Sequence, residues 1–167
     1  SCPIQNWPEE INITKKTIDV DLNLETNFGP ESIKNNIDSK PEFVWITAES
    51  LGDNDPALNY HSNLPAVFIF DKPLLNYLQL STKRIIFLLD CLRELSNKRS
   101  TQVYLDNPIE YLKNKNFACT FAAVPKYKKI TRVNIPTSEF PSVRLVKPIN
   151  FYPSSYSSWK KRIELNI

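Results

Sequence analysis

Glycine is almost missing from this 167-residue chain: Gly29 and Gly52 are the only two. A dinucleotide-binding fingerprint needs three closely spaced glycines, and a phosphate-binding P-loop needs two ahead of a lysine. Neither can be written here, so nucleotide or flavin binding through such loops is excluded. Histidine is scarcer still. His61 stands alone, which rules out a multi-histidine metal site and leaves any histidine-based triad one candidate. It sits among Asn59, Tyr60, Ser62 and Asn63 and reads as a loop residue rather than a base. Cysteine is sparse and scattered, at Cys2, Cys91 and Cys119. An odd number so far apart fits neither a zinc site nor a disulfide framework, and points to a reducing interior. No apolar run approaches the ~18 residues a membrane span needs, and no signal-peptide pattern precedes the first acidic residues. The expectation is a cytoplasmic protein with no membrane partner, no catalytic nucleophile and no metal.

What the chain does have is enough apolar material to fold. Hydrophobic residues make up 41% and aromatics 11%, which argues for a packed core rather than disorder. The length suits one domain with an added arm. Charge is divided unevenly. Residues 1–83 carry 6 basic and 12 acidic side chains, and residues 84–167 carry 15 and 6, so a net −6 faces a net +9. Such asymmetry implies a molecule with one basic face, suited to nucleic acid or to an acidic protein surface.

Residues 1–41 read as an arm punctuated by Pro3, Pro8, Pro30 and Pro41. Within it, residues 18–24 alternate apolar and polar as a half-exposed strand does. An α/β domain follows over residues 42–130. Phe43 to Ile46, Ala66 to Phe70, Thr101 to Leu105 and Phe117 to Ala122 are short, β-branched and aromatic runs bounded by turn residues, as buried strands are. Helices are expected from about Pro73, from Pro108, and from Thr82 to Asn97 with Ser81 as N-cap. Ile85, Leu88, Leu89, Leu92 and Leu95 form a core stripe on the longest helix. Ile86, Phe87 and Cys91 widen it, implying cover on more than one side. Beyond Pro125, repeated prolines interrupt helices until the last dozen residues. The remaining residues, 131–167, read as a Pro-rich basic tail with a final strand at Val143 to Val146 and a short helix from Tyr156. Strands alternating with helices give a three-layer α/β fold, a mainly parallel, Rossmann-like sheet of about five strands.

Trp45, Glu49, Pro56, Ala57 and Leu58 carry a resemblance. With them go Val67-Phe68-Ile69-Phe70-Asp71, Leu74-Leu75, Ser81-Thr82-Lys83-Arg84 and Phe87-Leu88-Leu89-Asp90-Cys91-Leu92. In order and spacing, over residues 43 to 127, these segments resemble the N-terminal α/β domain of the photolyase/cryptochrome family. The resemblance implies a crevice at the carboxyl ends of the strands for an antenna chromophore, a folate or a deazaflavin. It also implies a flavin-binding helical domain that the chain does not contain, so FAD would come from a partner chain, and DNA would be met through that assembly. The chain departs from the family pattern at Thr47, Ala48 and Leu51, where arginines are usual. It departs again at Ala122-Ala123, where folate-binding members often have Asn followed by Glu.

The residues expected at the crevice are Glu49, Asp55, Asp71 and Arg84, at the strand ends where open α/β sheets bind ligands. Asp53 belongs to the same group of carboxylates. Paired carboxylates can perform acid–base work or hold a divalent ion, and they can equally cap helices and turns. Lys126, Lys128, Lys129 and Arg132 flank Tyr127 as a basic loop. Tyr156, Trp159, Lys160, Lys161 and Arg162 mix rings with cations and are expected to dock a partner. Two other functions fit the same residues. One is an interaction module that kept the fold and lost the ligand. The other is a small hydrolase or nucleotide-binding protein using Glu49, Asp55 and Asp71.

Overall fold

A computed structural model describes residues 28–78, 80–147 and 154–163. The strands are β1 (Lys34–Asn35), β2 (Phe43–Ile46), β3 (Ala66–Asp71), β4 (Thr101–Asp106), β5 (Phe117–Thr120) and β6 (Ser138–Phe140). They form one six-stranded sheet in the order β1-β6-β5-β2-β3-β4. β6, β5, β2, β3 and β4 are mutually parallel, and β1 pairs antiparallel at the β6 edge.

β2 is central because it is apolar on both faces. All four of its residues are buried, as a parallel strand covered on two sides requires. Its alternation sorts two cores. Phe43 and Trp45 join Val67, Ile69, Phe117 and Cys119 on one face, with Leu112, Tyr127 and Ile130 packed over them. Val44 and Ile46 join Ala66, Phe68 and Ala118 on the other, under Ala57, Leu58, Leu92 and Leu95. The second face is covered by α1 (Pro56–Tyr60) and α3 (Thr82–Ser96), the first by α4 (Pro108–Tyr111) and α5 (Pro125–Val133). α2 (Lys72–Leu78) leads from β3 into α3. The result is a three-layer α/β domain, as the alternation of runs implies.

Three features differ from the sequence expectations. First, α5 occupies a stretch read as a basic loop. Pro125 stands at its first turn, where the missing N–H costs nothing, and Tyr127 and Ile130 give it a buried stripe at i, i+3. Second, the last strand is β6 and not the Val143 to Val146 run. Val143 and Leu145 are exposed, whereas Ser138 and Phe140 are buried in register with Ala118 and Thr120. The sheet therefore continues past residue 130. Third, α3 is covered on one side only among the described residues. Leu92 and Leu95 are buried, Leu88 is half-buried, and Ile86, Phe87 and Leu89 are exposed. Ser81 stands at its N-cap without a side-chain capping bond. The alternating residues 18–24 lie outside the described residues.

Candidate functional site at the carboxyl edge of the sheet

β2 and β5 are neighbours in the sheet, yet the chain leaves them toward opposite faces, into α1 and α5 respectively. Ligands of open α/β sheets sit beside such a switch point. Part of this crevice is filled by the protein itself. Asp55 is the N-cap of α1 and its carboxylate accepts the Leu58 N–H at 3.0 Å. The Ala57 N–H donates to Thr120 Oγ1 at 3.1 Å, tying α1 to the end of β5. Burial raises the Asp55 pKa above the ordinary carboxylate value. Hydrogen bonds from Leu58, Thr120 and Ala57 oppose the rise.

Beside it lies a cavity of about 320 Å³. Trp45, Ile46, Phe68 and Phe70 at the strand ends form its floor, Leu74, Leu75 and Leu88 one wall, and Tyr127 and Ile130 the opposite wall. Glu49, Asp71, Arg84 and Lys126 supply its charged groups. Glu49 lies on a single 3-10 turn, Ala48–Ser50. Asp71 accepts the Leu74 N–H at 2.9 Å, which starts α2, and its other oxygen lies 3.2 Å from Lys126 Nζ. The cation it meets thus comes from α5.

The α5 wall is rigid. The Tyr127 ring stacks on Trp45 with centroids 5.7 Å apart, and its hydroxyl donates to Glu139 Oε1 at 2.6 Å. Cys119 Sγ lies 3.2 Å from the same hydroxyl. Burial pushes both the Cys119 thiol and the Tyr127 phenol well above their ordinary pKa values. The buried thiol stays protonated and is a packing group rather than a nucleophile.

Of the four crevice residues expected from the sequence, Glu49, Asp71 and Arg84 line one cavity and Asp55 does not; it caps α1 beside it. Asp53 is further away in function: it pairs with Lys98. His61 is the C-cap of α1, half-buried, with its ring edge-on to Phe140 at 5.6 Å. Burial lowers its pKa. Lys126 and Tyr127 were not expected at the site. The signal for them is a proline just past a strand end, followed by an apolar residue at i+2 and another at i+5. Among the described residues, no three His, Cys, Asp or Glu side chains gather to hold a metal ion. In the tail, Tyr156 and Trp159 lie on α6 (Tyr156–Lys160) with rings 5.5 Å apart, and Lys160, Lys161 and Arg162 are exposed after them.

The arrangement is an apolar pocket bordered by Trp45, Phe68 and Tyr127, with charged groups at its rim. The fold and site define an α/β protein of Rossmann-like strand order with an apolar pocket at its carboxyl edge. No protein-family model, curated protein or solved structure matches the chain. Among the described residues, no helix is long and apolar enough to cross a membrane.

Proposed function

We propose that the chain is a photolyase/cryptochrome-like α/β domain that holds an antenna-type chromophore and works with a flavin-bearing partner chain in light-dependent DNA repair or light sensing. The observation that carries this reading is a coincidence of two independent lines. Glu49, Asp71 and Arg84, singled out by the resemblance, line a single apolar cavity whose floor includes Trp45, the residue that opens the resembling segment. Strand order supports it as well: in chain order the parallel strands lie 3-2-1-4-5 across the sheet, the doubly wound arrangement that binds ligands at this edge. The chromophore is a folate or a deazaflavin; the redox chemistry belongs to the FAD of the partner. DNA is met through the assembly, with the cations of α5 and α6 contributing to the surface.

A second reading has its own observation. Asp71 and Lys126 already neutralise each other at the rim, and Ala122 and Ala123 stand where the family offers polar contacts. An interaction module that kept the fold and lost the ligand follows from these. The hydrolase reading is weaker, because Asp55 is engaged in capping and only Glu49 and Asp71 remain at the cavity.

An absorption spectrum of the chain purified from its native source separates the first two. A band beyond the tryptophan region supports the chromophore reading. A bare protein spectrum, unchanged after incubation with folate or deazaflavin, favours the interaction module.

A further inference from the structure

The two edges of the sheet are built differently. β1 is two residues long and begins with Lys34, the kind of short, charged edge that resists further pairing. β4 is six residues long, reads Thr-Gln-Val-Tyr-Leu-Asp, and carries no charge before Asp106. Among the described residues it is the last strand at its edge. The Ala66 N–H donates to the Ser100 C=O at 2.8 Å, and the parallel pairing with β3 continues from there. Alternate residues turn their backbone groups to β3, so the N–H and C=O of Thr101, Val103 and Leu105 turn outward. Val103 and Leu105 lie in register with Phe68 and Phe70, on the α3 face of the sheet, and are 44% and 62% exposed. Arg84 and Leu88 of α3 border the cavity. At about 100° per residue, the exposed Ile86 and Leu89 fall on the opposite flank of the helix, toward β4.

We infer that β4 is the interface with a second copy of this chain: the two β4 strands pair antiparallel about a two-fold axis at Val103 and join two six-stranded sheets into one. An axis normal to the sheet keeps every side chain on its own face, so odd residues pair with odd and even with even. With Val103 on the axis, Thr101 of each copy pairs with Leu105 of the other, and all the outward groups of these three residues find partners. The neighbouring registers are poorer. Centring on Gln102 sets Leu105 against Arg99. Centring on Tyr104 sets Thr101 against Asn107, whose N–H already donates to the Asp106 carboxylate at 2.7 Å.

The charges fit the same register and favour a second copy as the occupant. β4 follows Lys98 and Arg99 and ends in Asp106. Asp106 shares a face with Tyr104, and antiparallel pairing sets it opposite Ser100 of the second copy, next to Arg99 there. Each anionic end thus meets a cationic start, twice per dimer. Lys98 pairs with Asp53, and Arg99 donates to the carbonyls of His61 and Ser62, which holds the cations at that end of the strand. Parallel pairing of the same strands would bring the two Asp106 carboxylates together instead. On the α3 face Val103 meets its own copy, and Ile86 and Leu89 of both helices flank the seam.

Sedimentation equilibrium of the full chain, with residue-resolved amide exchange at the same concentrations, tests this. The unaltered chain is expected to reach twice the chain mass as concentration rises, with the Thr101, Val103 and Leu105 amides gaining protection in step. Val103→Lys and Val103→Glu each place like charges on the axis and should weaken dimerisation tenfold or more. Mixed one to one, they should recover it, because the pair on the axis is then Lys with Glu. Protected amides of β2 and β5 report that each variant is folded. A chain that stays monomeric to millimolar concentration overturns the inference, and so does protection of the outward amides in the monomer, which would assign the edge to another part of the same chain. A dimer that survives either single variant, or folded variants whose mixture stays monomeric, also overturns it.

Discussion

Asp55 is the residue at which local and global structure meet. It sets the start of α1, and through Thr120 the same corner is fastened to β5. Removing the cap by Asp55→Ala should cost about 1 kcal/mol, the usual range being 0.5–2, read as a lower urea midpoint. Asp55→Asn keeps an acceptor and should be milder. The two carboxamide and carboxylate forms should also separate with pH. The folded-state pKa of Asp55 is raised, so its contribution is fullest below the unfolded value of 3.8. It falls as pH rises through the folded pKa. The Asn variant should therefore gain stability relative to the unaltered chain on going from pH 4 to pH 7. A relative loss over that window would mean the capping bonds outweigh burial. Gly29 is a second constrained position. Its φ is +76°, and a Cβ there would lie 2.2 Å from the Phe121 ring. Gly29→Ala should destabilise by about 1–3 kcal/mol, from strain and overpacking together, measured by the same unfolding experiment.

At the scale of elements, α3 divides its apolar residues between core and surface. Leu92 is 3% exposed, and Leu92→Ala should cost about 2–5 kcal/mol in urea unfolding. Leu88 is half-buried at the cavity wall, so Leu88→Ala should cost clearly less. Equal losses at the two positions would mean that α3 packs more deeply than described. The elements legible in the sequence were those whose residues speak locally. Phe43 to Ile46 and Ala66 to Phe70 are unbroken apolar runs, and a parallel strand buried on both faces has that appearance. α5 was not legible because Pro125 reads as a breaker until its place just after a strand end is known. β6 was missed because Ser138-Glu139-Phe140 carries a carboxylate in three residues. That carboxylate accepts a hydrogen bond from Tyr127, twelve residues earlier in the chain. The width of the α3 stripe misled for a related reason: Ile86, Phe87 and Leu89 are apolar yet remain exposed among the described residues.

At the scale of the whole molecule, the candidate site was half legible. Glu49, Asp71 and Arg84 follow from strand ends and from the family resemblance. Tyr127 and Lys126 do not, because they approach from a helix on the other side of the switch point. We propose that the cavity beside Trp45 holds a chromophore with its polar groups at the charged rim. Arg84 is exposed at the first turn of α3, so Arg84→Glu changes the charge at the rim without touching the core. The direct measurement is a titration of the full chain with folate and, separately, with deazaflavin. Quenching of tryptophan emission, to which Trp45 in the cavity floor contributes, is followed for the unaltered chain and for Arg84→Glu. The account predicts saturable quenching by one of the two ligands and an affinity at least tenfold weaker in the variant, about 1.4 kcal/mol. Quenching that never saturates with either ligand, or saturates identically in both proteins, would contradict it.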